Sequence, residues 1–159
     1  MAKAEATVEI AAPLAEVWDL YFDRDRWASW VDGYSSLVSV SGGYPEVGGE
    51  LRWRSTPAGR GEVSERVLAH DPRSLHRVAF EDPAASGELE TRFEIKPAEE
   101  GRLTAVFQAL SYSLSGGGPL AAVTDLLFIR SQQRRSLQRS LIELRLEAER
   151  RGASPVPAA

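Results

Sequence analysis

Glu65 is the residue whose setting most invites chemistry. It sits at the centre of Gly61-Glu62-Val63-Ser64-Glu65-Arg66-Val67, and the two-residue period of a strand puts it on one face with Val63 and Val67. A carboxylate among inward apolar side chains is costly to bury unless partnered, and its proton affinity rises. Such a group can act as a general base or accept a ligand hydroxyl. It can equally form a structural ion pair across a cavity with Arg130 or Arg134. His76 shares a strand face with Val78 and Phe80, and Trp53 points inward with Leu51. In the last strand the set Val106, Gln108, Leu110 and Tyr112 is preferred as inward over Leu103, Ala105, Phe107 and Ala109. Gln108 and Tyr112 would then reach a ligand carbonyl. Trp30, Trp53, Phe80 and Phe93 are the expected wall around Glu65, which is the best catalytic candidate.

Other chemistries find no support. The chain has no cysteine and two histidines, so neither a thiolate nucleophile, a disulfide framework nor a multi-histidine metal site is expected. Gly116 to Gly118 lacks the lysine and spacing of a phosphate loop. No Ser-His-Asp order or carboxylate pair at a useful separation stands out, and no cofactor is expected.

The elements that must position these residues follow from pattern and punctuation. Thr7 to Ile10 alternates as a strand, and Pro13 opens a helix with Leu14, Val17, Trp18 and Tyr21 at i, i+3, i+4 and i+7. Asp23 suits the N-cap of a second short helix carrying Trp27, Trp30 and Val31, ended by Gly33. Strands are expected near 35–41, 49–56, 61–70, 75–82, 87–96 and 102–114, separated by Gly-Gly, Asp-Pro and similar breaks. In 87–96, Leu89, Thr91, Phe93 and Ile95 oppose an outer row of Glu88, Glu90, Arg92 and Glu94. Pro119 to Arg151 reads as one helix of roughly 50 Å at about 1.5 Å per residue, closed by Gly152. Val123, Leu126, Leu137, Leu141, Leu144 and Ala148 form its buried stripe, with Arg130, Gln133 and Arg134 as a polar centre facing a cavity. Behind that stripe Phe128, Ile142 and Leu146 would allow a homodimer.

The net charge of −4 over 159 residues argues against nucleic acid as the main partner. The first ten residues lack the apolar core of a signal peptide, and no apolar run approaches the ~20 residues of a membrane span. Residues 1–151 are expected to form a single domain in a soluble, cytoplasmic protein, with 152–159 a disordered tail.

Ala12-Pro13-Leu14-Ala15-Glu16-Val17-Trp18, Trp27-Ala28-Ser29-Trp30, Val47-Gly48-Gly49-Glu50-Leu51-Arg52-Trp53 and the stretch from Gly61 to Asp71-Pro72, followed by a long closing helix, resemble the START/Bet v 1-like (SRPBCC) superfamily. The likeness covers about residues 5 to 151 and is nearest the polyketide cyclase/dehydrase-like subgroup. It implies an α+β helix-grip fold: a curved antiparallel sheet of about seven strands wrapped around the C-terminal helix, with two short helices after strand 1. It also implies a cavity between sheet and helix that takes a small hydrophobic molecule such as a lipid, quinone or polyketide. Alternatives are a polyketide cyclase or dehydratase acting on such a ligand, or a protein-interaction module of the same fold.

Overall fold

The structure is a computed structural model, and its description covers residues 1–99, 101–115 and 121–153, with the side chains of 121–129 and 153 excluded. Seven strands form one antiparallel sheet: β1 (Ala2–Ile10), β2 (Tyr34–Ser41), β3 (Glu50–Ser55), β4 (Glu62–Asp71), β5 (Leu75–Glu81), β6 (Ala85–Pro97) and β7 (Arg102–Leu114). Their order across the sheet is β1-β7-β6-β5-β4-β3-β2. Neighbours from β2 to β7 are consecutive in sequence because each loop is too short for a parallel crossover. β1 instead pairs with the last strand, Ala2 opposite Tyr112 and Ile10 opposite Thr104.

Between β1 and β2 the chain makes α1 (Leu14–Phe22), a 3₁₀ turn at Arg24–Arg26 and α2 (Trp27–Trp30). Val17, Leu20 and Tyr21 are the buried face of α1, as the spacing predicts. Asp23 accepts a bond from the Asp25 N–H at 3.2 Å, capping the 3₁₀ turn ahead of α2. α3 (Ala121–Ala153) closes the molecule against β1 and α2. Leu141 and Leu144 are fully buried and Ala148 nearly so, while Val123 and Leu126 fall among the side chains outside the description. Each buried leucine contributes roughly 1.5–3 kcal/mol of apolar burial. The Ala11 N–H donates to Glu149 at 3.1 Å, tying the end of α3 to the end of β1. Gly152 continues the helix rather than capping it. No described helix is long and apolar enough to cross a membrane.

Strand parity places side chains as expected on most strands. Leu51, Trp53, Val63, Val67, His76, Val78 and Phe80 are buried, and so is the preferred β7 set from Val106 to Tyr112. Ile95 is the exception: it keeps the inner parity but is 51 % exposed, near the end of a strand that outruns the core. Ile142 is half-buried, Leu146 is 41 % exposed, and the Phe128 side chain lies outside the described set.

Two local irregularities shape the concave face. At Gly87 in β6 a Cβ would collide with the Ser111 carbonyl and lie 2.7 Å from the Tyr112 Cα, so only glycine allows β7 this close. In β4 the pairing with β5 runs regularly to Val67 opposite Val78, then resumes with Ala69 opposite Arg77. Leu68 is the additional residue of a β-bulge. Simple alternation from Glu65 and Val67 would turn His70 outward. The bulge reverses the phase and sets His70 opposite His76.

Candidate functional site

A cavity of about 120 Å³ lies between the concave face of the sheet, α2 and the middle of α3. That is an order of magnitude more than one water needs. Its wall is largely aromatic. Trp27 and Trp30 come from α2, Tyr34 from the start of β2, Tyr44 from the β2–β3 loop, and Trp53 and Phe80 from β3 and β5. Tyr34 stacks at a tilt on Trp53 with centroids 5.7 Å apart, and Trp27 meets Tyr34 edge-on at 5.9 Å. These rigid faces suit a flat ligand.

The Glu65 carboxylate accepts a bond from Trp53 Nε1 at 3.1 Å. Burial pushes its proton affinity above the ordinary carboxylate range, and the Trp53 bond and the Arg60 charge offset this only in part. The part of Glu65 that stays accessible borders the cavity. Arg60 stands between Gly59 and Gly61 beside the barrel of rings, its guanidinium 4.8 Å from the Phe80 centroid and 5.8 Å from that of Trp53. Its Nε donates to Asp82 at 2.7 Å, and the other Asp82 oxygen accepts the N–H groups of Ala84 and Ala85. Asp82, 3 % exposed, thus fixes Arg60 as the cation nearest this chemistry.

On the opposite side Tyr21, Thr91 and Gln108 form a compact polar knot. The Tyr21 and Thr91 hydroxyls are 2.9 Å apart, and Gln108 Nε2 donates to Thr91 at 3.2 Å and to Tyr21 at 3.4 Å. Burial is the main reason the Tyr21 phenol is pushed up to about 12. Burial also raises the Tyr44 phenol, and the Glu65 charge adds to both shifts. His76 is pushed down to about 4, first by burial and then by His70. Among the described residues Trp30 Nε1, His76 Nε2 and Gln108 Oε1 are buried without a hydrogen-bond partner, and all three residues line the cavity. The cavity wall therefore carries one donor, one acceptor and one imidazole nitrogen without partners, beside an acid whose proton affinity burial raises.

Of the residues singled out from sequence, Trp30, Trp53, Glu65, His76, Phe80 and Gln108 converge on this cavity. Four do not. Phe93 is buried behind it against Trp18 and Tyr21, at centroid distances of 4.9 and 5.3 Å. Tyr112 is buried two residues further along β7 than the cavity-lining Leu110. Arg130 and Arg134 are exposed on α3 and do not reach Glu65. The physical reason is reach along the helix and solvation: Arg130 has the helical angle of buried Ala148, but it lies before the buried stretch that begins at Leu137, and a guanidinium there stays in water. Gln133 and Leu137 carry that part of the lining instead.

Sequence reading missed Arg60, Tyr44 and Ser136. Arg60 falls in an expected turn, where arginine reads as solvated. Its only local signal is the Gly-Arg-Gly context, with Gly61 at φ 81 bending the chain back over Phe80.

A family model described as polyketide cyclase/dehydrase and lipid transport matches residues 1–149. No curated protein matches the chain significantly. Among solved structures, the Zhui aromatase/cyclase from Streptomyces sp. R1128 superposes with a TM-score of 0.73 at 19% identity, covering 96% of each chain. A norcoclaurine synthase point mutant from Thalictrum flavum, in complex with a transition-state analogue, gives 0.66 at 13% identity and 96% of each chain. A START superfamily protein from Mycobacterium smegmatis gives 0.62 at 14%, covering 93% of this chain and 97% of its own. These likenesses are of fold: a seven-stranded helix grip shared across the START/Bet v 1-like group.

Proposed function

Because the chain belongs to the polyketide cyclase/dehydrase and lipid transport family, we propose that it binds a small, flat, oxygen-bearing hydrophobic molecule of the aromatic or polyketide kind between the sheet and α3. The observation that carries this reading is the aromatic wall, with Trp27, Trp30, Tyr34 and Trp53 surrounding a few polar atoms that lack partners. A flexible acyl chain needs no such stack of rings, whereas a fused-ring ligand gains from each face.

Three of the four tryptophans line the cavity, so binding reports itself in their emission. Titration with 1-naphthol and 1,4-naphthoquinone should quench that emission saturably, and palmitate should not. Quenching by palmitate alone, or by none of the three up to their solubility limits, refutes the ring-binding reading. Native mass spectrometry of freshly purified protein then tests for a ligand carried along.

A second reading, an enzyme that cyclises or dehydrates such a molecule, is favoured by one specific feature. Glu65 holds its proton more tightly than a solvated carboxyl and lines the cavity, which is the direction of shift a general acid needs. In a dehydration it would give that proton to the departing hydroxyl, and the carboxylate left behind would take the α-proton as the double bond forms, so that water leaves and the acid is restored. Glu65→Gln should then abolish loss of water from an aromatic β-hydroxy ketone, followed as enone absorbance, while ring probes still bind. Unchanged turnover would remove Glu65 from the chemistry.

A further inference from the structure

The chain's two histidines meet, although they stand six positions apart and only one lines the cavity. His70 Nδ1 and His76 Nδ1 lie 3.1 Å apart across the β4–β5 ladder. In this sequence the contact needs the bulge, which takes up Leu68, the one residue by which β4 outnumbers β5 between Val67 and His70. Rings enclose the pair: Phe22 meets His76 at 4.9 Å and His70 at 5.5 Å, Trp18 meets His70 at 5.4 Å, and Tyr44 meets His76 at 5.9 Å. His76 is 4 % exposed and its Nε2 has no partner among the described residues, while His70 is half-buried.

We propose that His70 and His76 are a coupled tautomer pair that gives the cavity one adjustable hydrogen-bonding atom, His76 Nε2, and relays the matching proton change to His70 outside it. The proposal rests on the reading of the cavity as a site for an oxygenated ring molecule. Two neutral imidazoles can share a short Nδ1–Nδ1 contact only if one carries the proton and the other a lone pair. Their tautomers are therefore complementary. When the ligand presents a hydroxyl, His76 Nε2 is bare and accepts, His76 Nδ1–H donates to His70, and His70 carries its own proton on Nε2. When the ligand presents a carbonyl, His76 Nε2–H donates and His70 Nδ1–H donates inward. Exchange of the first ligand for the second moves one proton from water entering the emptied cavity onto His76 Nε2, one across the Nδ1–Nδ1 bond, and one from His70 Nε2 to solvent, so protons are taken from and returned to water in equal number. The pair holds the same number of protons before and after. Burial supports the neutral form of the inner ring.

With two histidines in the protein, a long-range ¹H–¹⁵N correlation spectrum of the full chain shows just two rings. His70→Gln or His76→Gln, whichever folds, assigns them. Complementary tautomers are expected in the free protein. Saturation with 1-naphthol and with 1,4-naphthoquinone should yield opposite tautomers at both rings, including His70, which does not line the cavity. Identical tautomers in the free protein, or a His70 spectrum unchanged between the two probes while His76 changes, overturn the proposal. Should neither probe quench the tryptophans, the binding reading falls and the free-protein spectrum decides the pair alone. Complementary tautomers then uphold the coupling, and identical ones refute it.

Discussion

Replacing Glu65 with Gln isolates the cost of the buried carboxylate, because glutamine is neutral and close in size and shape to its protonated form. The amide oxygen still accepts from Trp53 Nε1, so the 3.1 Å bond survives. Among the described residues Glu65 forms no salt bridge, and Arg60 is held by Asp82 instead. The variant therefore strands no cation. The sign follows from linkage. Glu65 has a proton affinity raised in the fold above the unfolded value near 4.5, so folded protein binds the proton more tightly and ionisation works against folding. Below the unfolded value both states are protonated, and wild type and Glu65→Gln should agree within about 0.5 kcal/mol. As pH rises from there through the raised folded value, wild type loses stability and the variant does not. Each tenfold gain in proton affinity is worth about 1.4 kcal/mol. For a chain of this size that is roughly 3–6 °C in Tm, at about 2–4 °C per kcal/mol. Paired thermal melts from pH 4.5 to 8.5 should show the Glu65→Gln advantage opening with pH. A variant less stable than wild type by ~3–5 kcal/mol at neutral pH, the cost of breaking a buried ion pair, would show that Arg60 depends on Glu65 and refute the argument.

Other outcomes are as definite. Asp82→Asn sets an amide N–H₂ against Arg60 or against the Ala84 and Ala85 N–H groups, and should cost about 2–3 kcal/mol in denaturant melts. Thr91→Val keeps the shape but removes the hydroxyl shared by Tyr21 and Gln108, and should lower stability by about 1–3 kcal/mol at unchanged m-value. Gly87→Ala drives a methyl into the β7 backbone and should cost about 3 kcal/mol, read as a lowered Tm or failure to fold. Leu144→Ala empties a fully buried site on α3 and should cost about 2–5 kcal/mol by urea unfolding.

Most of the architecture was legible because it is written in period and punctuation. Alternation on β3, β5 and β7 gave Trp53, His76 and Gln108 their inward faces, and Glu65 was readable from the two valines beside it. What escaped depends on non-local geometry. A helical wheel gives an angle but not how far a neighbour reaches along the helix, so Arg130 shares the angle of Ala148 yet stays in water. Arg60 had no regular element to assign it a face. Phe93 had the right face but the wrong place along its strand, because parity says nothing about where a cavity ends. The bulge in β4 breaks the counting rule itself, so the meeting of His70 with His76 could not be deduced from alternation.

That bulge also says where this strand could change length. Leu68 sits just beyond Val67, whose N–H and C=O are the last groups of β4 to bond back toward the β3 side, through Gly49 and Gly48. Past that point β4 answers to β5 alone. A chain lacking Leu68 would run straight from Val67 opposite Val78 to the next residue opposite Arg77, with the imidazoles still facing one another and the carboxyl still beside Trp53. Strand interiors normally reject insertions and deletions, because one residue inverts every pleat that follows. Here the inversion has already been absorbed, and the acid half and the imidazole half of the cavity are phased separately. Relatives differing by one residue at this position could keep both halves intact, and an alignment that forces the two strands into equal length would misplace the histidine.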